Sequence, residues 1–342
     1  MNSKINNFMA DWGQISFSEK TRKSINEPLC SCMYPGCTEK PIYSHVFQKK
    51  GVLKEISTNR KVFAFEYCDL YTFNRGECPV RYKESGINDT FGFFGFCNQH
   101  DNKLFELIEP PKGKYVDWYD EKNQYLLGYK TLCREIFVKL QLQRYFLKHL
   151  EGEYFSIGAY TNKANCDYSI LILEKYKKIL EKGILNSDYE RYKFKITELP
   201  FRLDLCLASP IVIREECKGQ YWGEDENVIP DTVNIINIFP YRKKTVIIVG
   251  FLKGEKNIWA TELYENLRGD DIEEVCKSLQ DVMFRSEFHC MSKKLYTEIE
   301  SKIPKFLEEW VELYDSNNYS LQYSSNIFRE YIIKELNKKD LP

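Results

Sequence analysis

Apolar positions change their spacing twice along the chain, and each change predicts a different kind of structure. Residues 1–27 are polar with few periodic apolar positions and read as a loose arm. From Pro28 to Pro111, short β-like runs alternate with turns. Val62–Phe73 (VFAFEYCDLYTF) is rich in aromatic and β-branched residues, and Phe91–Phe96 (FGFFGF) reads as a glycine-punctuated strand. Leu104, Phe105 and Ile108 then form an apolar face at spacings of three and four. The segment after Cys97 therefore predicts a helix, which Pro110 and Pro111 stop.

Helical spacing dominates the next stretch. Leu126, Tyr129, Leu132, Cys133, Ile136, Phe137, Leu140, Leu147 and Leu150 mark one long amphipathic helix over 125–150. Gly152–Asn165 reads as loop and Tyr168–Gly183 as a second helix. Near Tyr192 the period changes to that of strands. Phe194–Glu216 predicts two of them, and Asn234–Leu252 predicts a hairpin across the polar turn Tyr241–Lys244. Helix returns at Asp271–Met283, at Lys293–Tyr314 with a break near Pro304, and at Asn326–Asn337. The fold class is α+β: an arm (1–27), a small metal module (28–112), a helical connection (113–185) and a mixed α+β domain with an antiparallel sheet (186–342).

Two short-spaced pairs carry the chemistry of the module. Cys32 and Cys37 lie in CMYPGC, where Pro35 and Gly36 help to bend the backbone; Cys97 and His100 lie in CNQH at the start of the predicted helix. A knuckle and a helix start together supply the Cys3His set of a closed, structural Zn2+ site, and such a site would help to fold a segment with little core of its own. Cys30 is a substitute ligand two residues before Cys32. The plainer reading makes Cys37 and Cys97 core thiols and His100 a helix-capping group. Cys133, Cys206 and Cys276 stand isolated in apolar patterns and read as small buried hydrophobes.

The knuckle, Ser44-His45 at the end of a first strand, and GFC-x-x-HD leading into a helix resemble the treble-clef, ββα-metal HNH endonuclease superfamily. More narrowly, they resemble a group of bacterial HNH-like proteins with a C-PG-C…SH…GFC-x-x-HD-x-x-LF pattern. The motif spans Cys32 to Glu109. The resemblance implies that His45 is the general base that activates water, a task suited to a neutral imidazole. It implies that Asp101 ligates a catalytic Mg2+ or Mn2+. It makes Asn88, or its neighbour Asp89, the residue that orients the base or completes the metal shell. Ser44 departs from the pattern, which often has a carboxylate or histidine before the base. Read from the residues alone, His45 is equally a further zinc ligand or a buried hydrogen-bonded histidine, and Asp101 a carboxylate favoured by the helix dipole.

Composition narrows the partners. The chain has 342 residues and a formal net charge of −1, so any nucleic-acid surface must be a local patch. Lys40, Lys49, Lys50 and Lys54, with Arg60 and Lys61 beyond them, gather around His45 among Tyr43 and Phe47, as at a phosphate-contacting surface. Arg134 and Glu135 on the long helix are placed to buttress the module. No apolar run is long enough to span a membrane and no secretory pattern opens the chain, which predicts a cytoplasmic protein. No P-loop, Rossmann fingerprint or G-x-S-x-G elbow occurs. The expectation is a metal-dependent nuclease acting on DNA more readily than RNA, with a role in bacterial defence suggested by the family likeness alone. The alternative is a non-catalytic zinc protein that binds nucleic acid or a protein partner; a homo-oligomer is compatible with either.

Overall fold

The computed structural model describes residues 28–67, 78–111, 114–150, 157–213, 232–254, 257–316 and 325–338. The expected arm and the second half of the Val62–Phe73 run lie outside them. Nine strands form two antiparallel sheets among these residues. β1 (Ile42–His45) pairs only with β4 (Gly92–Phe96), and helix α1 (Asn98–Leu104) follows β4 directly. The large sheet also contains β2 (Lys61–Tyr67), β3 (Val80–Gly86), β5 (Tyr192–Leu199), β6 (Leu205–Ile213), β7 (Thr232–Tyr241), β8 (Lys244–Leu252) and β9 (His289–Met291). Its order is β3-β2-β9-β6-β7-β8-β5.

Both faces of this sheet are covered. One face meets the long helices α2 (Glu121–Leu150) and α3 (Ile157–Asn186) together with the Cys/His segment. The other meets α4 (Ile258–Arg268), α5 (Ile272–Phe284), α6 (Lys293–Ile299), α7 (Ile303–Ser316) and α8 (Arg329–Asn337). Alternate residues of one strand therefore enter different cores. Val233, Ile235 and Phe239 face α2, while Ile236 and Ile238 face the C-terminal helices. That is why VNIINIF and TVIIVGFL read as unbroken apolar runs: a strand buried on both sides has no polar face to alternate with.

The β7–β8 hairpin pairs as expected, from Ile235↔Gly250 to Tyr241↔Lys244, across the two residues Arg242 and Lys243. Helix α2 is buried almost all round from Asn123 to Cys133, because it touches β4, β5, β6, β7 and α3 at once. The predicted loop at Gly152–Asn165 is in its second part helix, since α3 begins at Ile157.

The segment 28–112 does not stay together. β2 and β3 leave it for the large sheet, where β2 pairs with β9 through Phe63↔Met291 and Ala64↔Cys290. The rest of the segment shares a core with the helices and the sheet: Phe93, Phe96 and Phe105 pack in one cluster with Tyr129, Leu132 and Phe137. The expected boundaries near 112 and 185 therefore cut through a common core. The segment's apolar side chains divide between the two cores, Phe93 and Phe96 in one and Phe65, Val80 and Tyr82 in the other.

Candidate metal centre and the histidine site beside it

The knuckle is built by a tight turn. The Cys37 amide donates to Tyr34 O at 3.1 Å, Gly36 takes the left-handed φ of +72°, and the Cys32 amide donates to Glu39 O. The turn is tied to β4 by Met33 N donating to Gly95 O at 2.8 Å, and to α2 by the Tyr129 hydroxyl donating to Met33 O. Cys97 is the N-cap of α1, and the Asp101 amide closes the first helical turn on Cys97 O.

These two anchors bring Cys32, Cys37, Cys97 and His100 together, with their ligating atoms all within 4.8 Å of one another. Cys37 Sγ and Cys97 Sγ are 3.9 Å apart, and His100 Nδ1 lies 3.3 Å from Cys97 Sγ and 3.5 Å from Cys32 Sγ. Tetrahedral bonds of about 2.3 Å to sulfur and 2.0–2.1 Å to nitrogen require edges of this size. The set can hold a metal ion such as zinc through three thiolates and Nδ1. Tyr34 stacks on the His100 ring at 4.0 Å and fixes its plane. Burial pushes the Cys32 thiol up to about 11. Burial also opposes ionisation of Cys97, but hydrogen bonds from the His100 backbone and from neighbouring thiols bring it below the ordinary thiol value. Cys30 is exposed and outside the set.

His45 ends β1, opposite Gly92. A Cβ on Gly92 would lie 2.1 Å from the Tyr43 hydroxyl, so only glycine lets the Tyr43 ring stand edge-on beside the imidazole at 5.3 Å. His45 Nε2 lies 2.9 Å from the backbone oxygen of Asn88. A carbonyl only accepts, so Nε2 carries the proton and Nδ1 keeps the lone pair. Burial, together with the charges of Lys49 and Lys130, holds the imidazole below its ordinary pKa against the Asn88 carbonyl and Asp101. His45 is therefore neutral at pH 7 and is not one of the Cys/His ligands.

Asn88 serves through its main chain. Its side-chain oxygen accepts from Arg60 at 3.4 Å. The Asn88 turn ends at Phe91, a bulky residue at φ +59°, a conformation that costs on the order of 1–3 kcal/mol.

Asp101 faces a cation supplied by the protein. Lys130 on α2, with no exposed surface, places Nζ 3.1 Å from Asp101 and also pairs with Glu109, while lying 4.4 Å over the Phe105 ring. Burial raises the Glu109 carboxyl, and Lys130 pulls it back. Ser44 is 2% exposed and its hydroxyl has no partner. A Mg2+ or Mn2+ ion seeks several oxygen ligands in an open shell. Here Asp101 is neutralised, the Asn88 amide oxygen is engaged and Ser44 is sealed in. The expected divalent ion at Asp101 does not fit this donor set, because an ammonium already supplies the positive charge.

Of the expected basic patch, Lys40, Lys50 and Lys54 are exposed, Lys49 is partly buried with its charge bearing on His45, and Lys61 is paired with Glu84 at 2.8 Å. Sequence reasoning missed Lys130, although Leu126, Cys133 and Phe137 around it at helical spacing mark its position as inward-facing. Arg134 does reach the module, with its guanidinium over the rings of Phe288 at 3.7 Å and Phe91 at 5.5 Å. No described helix is long and apolar enough to cross a membrane. The chain matches no known family model, and no curated protein or solved structure is significantly similar to it.

Proposed function

We propose that the chain hydrolyses phosphodiester bonds in nucleic acid, DNA in preference to RNA, with a zinc-stapled treble-clef element of the ββα type as its working part. The observation that carries this reading is the His45 arrangement. A neutral imidazole is locked into one tautomer by the Asn88 carbonyl, at the end of the strand that pairs with β4 and beside the helix that starts at the Cys/His cluster. In this role Nδ1 of His45 takes the proton from water as its oxygen attacks phosphorus, and a sugar oxygen leaves. Exposed Lys40, Lys50 and Lys54 supply backbone contacts.

Cleavage of plasmid DNA by the zinc-loaded protein, with and without Mg2+ or Mn2+, tests the reading. His45→Ala should lower the rate by roughly 10²- to 10⁴-fold with zinc content and melting unchanged. Equal cleavage by wild type and His45→Ala would overturn it.

The Asp101–Lys130–Glu109 network favours a second reading, in which the same zinc element binds nucleic acid or a protein partner without catalysis. Retardation of duplex DNA by a protein with no cleavage in any metal would select it.

A further inference from the structure

A cleft of about 340 Å³ is lined by β2, by Ser85 near the end of β3, by the turn at 89–91, by Arg134 of α2 and by the segment that leads into β9. Its polar anchor is Arg134. Among the described residues no hydrogen bond or ion pair reaches this guanidinium, and its Nε is buried without a partner. Burial lowers its pKa to about 10, and it remains charged at pH 7. Glu135 and Glu287 act on this half-buried cation only through space, and its fork is shaped for two parallel bonds to one oxygen pair.

The remaining walls limit what that anion can be attached to. Phe65, Phe91 and Phe288 line the cleft with rings. Two acids, Asp89 and Glu287, also line it and have no ion-pair partner among the described residues, whereas Glu66 is held by Arg81 at 3.0 Å. Two carboxylates nearby disfavour a dianion and accept hydrogen bonds from ring amino groups. The Tyr43 phenol, which touches the His45 ring, feels the charges of both Asp89 and Arg134. The cleft and the histidine site therefore adjoin through Tyr43 and the Asn88–Phe91 turn.

We infer that this cleft binds one nucleotide step of a nucleic acid, with Arg134 gripping a phosphodiester monoanion and the phenylalanines packing against a base. The inference rests on the nucleic-acid reading above and names the part of the strand that this chain would hold next to His45. Arg134 is a binding residue and does not touch the reacting water.

Calorimetric titration of the full chain tests it, with the dinucleotide of deoxyadenosine, its uncharged methylphosphonate analogue and inorganic phosphate as probes. The dinucleotide should bind, and both the analogue and phosphate should bind at least about 10-fold more weakly. Arg134→Met should weaken the dinucleotide about 10- to 100-fold in protein whose folded fraction matches that of wild type. Arg134→Lys, which keeps the charge and loses the fork, should not restore binding in full. Ser85→Trp, which fills the cleft from β3, should abolish binding independently of Arg134. Equal binding of the dinucleotide and its uncharged analogue, or unchanged binding by both Arg134→Met and Ser85→Trp, would overturn the inference. Dinucleotide binding without plasmid cleavage would sink the hydrolase reading and uphold the cleft; cleavage without dinucleotide binding would do the reverse.

Discussion

The Cys/His corner and the seven-stranded sheet are held together by different physics. In the corner, β1 has four residues, β4 five and α1 seven, and α1 has no buried residue of its own. There, four side chains that can hold a metal ion supplement the packing of Phe93 and Phe96 against α2. In the sheet, β7 and β8 are buried on both faces between two layers of helices, and their stability needs no ligand. The corner thus carries a candidate bond set in addition to its packing, whereas a two-faced strand depends on packing alone.

Loss of a metal ligand should give the largest separation between the two. Cys97→Ser is expected to lose most of its zinc, and hydrogen exchange should accelerate in β1, β4 and α1 while β6–β8 stay protected. Apparent zinc-binding energies of about 10–16 kcal/mol in small zinc-dependent folds set the scale. Full zinc occupancy with unchanged melting in this variant would remove the comparison altogether.

The next effect sits where the regions meet. Lys130→Met leaves Asp101 and Glu109 facing each other without their shared cation and should destabilise by about 3–5 kcal/mol in denaturant titrations. Adding Glu109→Gln should recover part of that loss. A Lys130→Met protein as stable as wild type would show that the network is an exposed ion pair in effect.

In the sheet, Ile247→Ala opens a cavity on the C-terminal helical side and should cost about 2–5 kcal/mol, with zinc stoichiometry unchanged in the folded protein. Coupled loss of zinc at equal folded fraction would mean the two regions are not separable.

Acid should distinguish them least steeply. His289 in the sheet sits 2.6 Å from the Tyr82 hydroxyl, and burial lowers its pKa to about 3 from 6.5. The unfolded chain therefore binds a proton that the folded chain refuses. Stability from this group is complete above pH 6.5 and falls as pH drops toward 3, by about 1.4 kcal/mol per pH unit. Unfolding measured between pH 6 and 4.5 should show a shallower slope for His289→Gln; an identical slope would place the acid sensitivity elsewhere.

The two regions also differed in how far they could be read from sequence. Cys32, Cys37, Cys97 and His100 were legible because ligand spacing is local, and so were α2 and the β7–β8 hairpin, whose periods are long. β9 was not, because three residues show no period, and only its pairing reveals that β2 belongs to the large sheet. α4 also went unread, since Trp259 to Leu267 show a weaker apolar stripe than α5. The role of Lys130 could not be read from its type, which favours solvent; it needed the positions around it. Arg134 was legible as a buttress, but not as the floor of a cleft, because the cleft exists only once β2, α2 and Phe288 meet.

That β2–β9 pairing sets a timetable for synthesis. Ala64 and Cys290 are 226 positions apart, so at roughly 5–20 residues per second the β2–β3 hairpin waits on the order of tens of seconds for its neighbour to leave the ribosome. During that interval β2 presents an open edge, with Phe63 and Phe65 along it, to any other extended chain. Slow codons, or truncation before residue 289, should therefore yield aggregates seeded by β2 and β3, even though Cys32, Cys37, Cys97 and His100 have already been made.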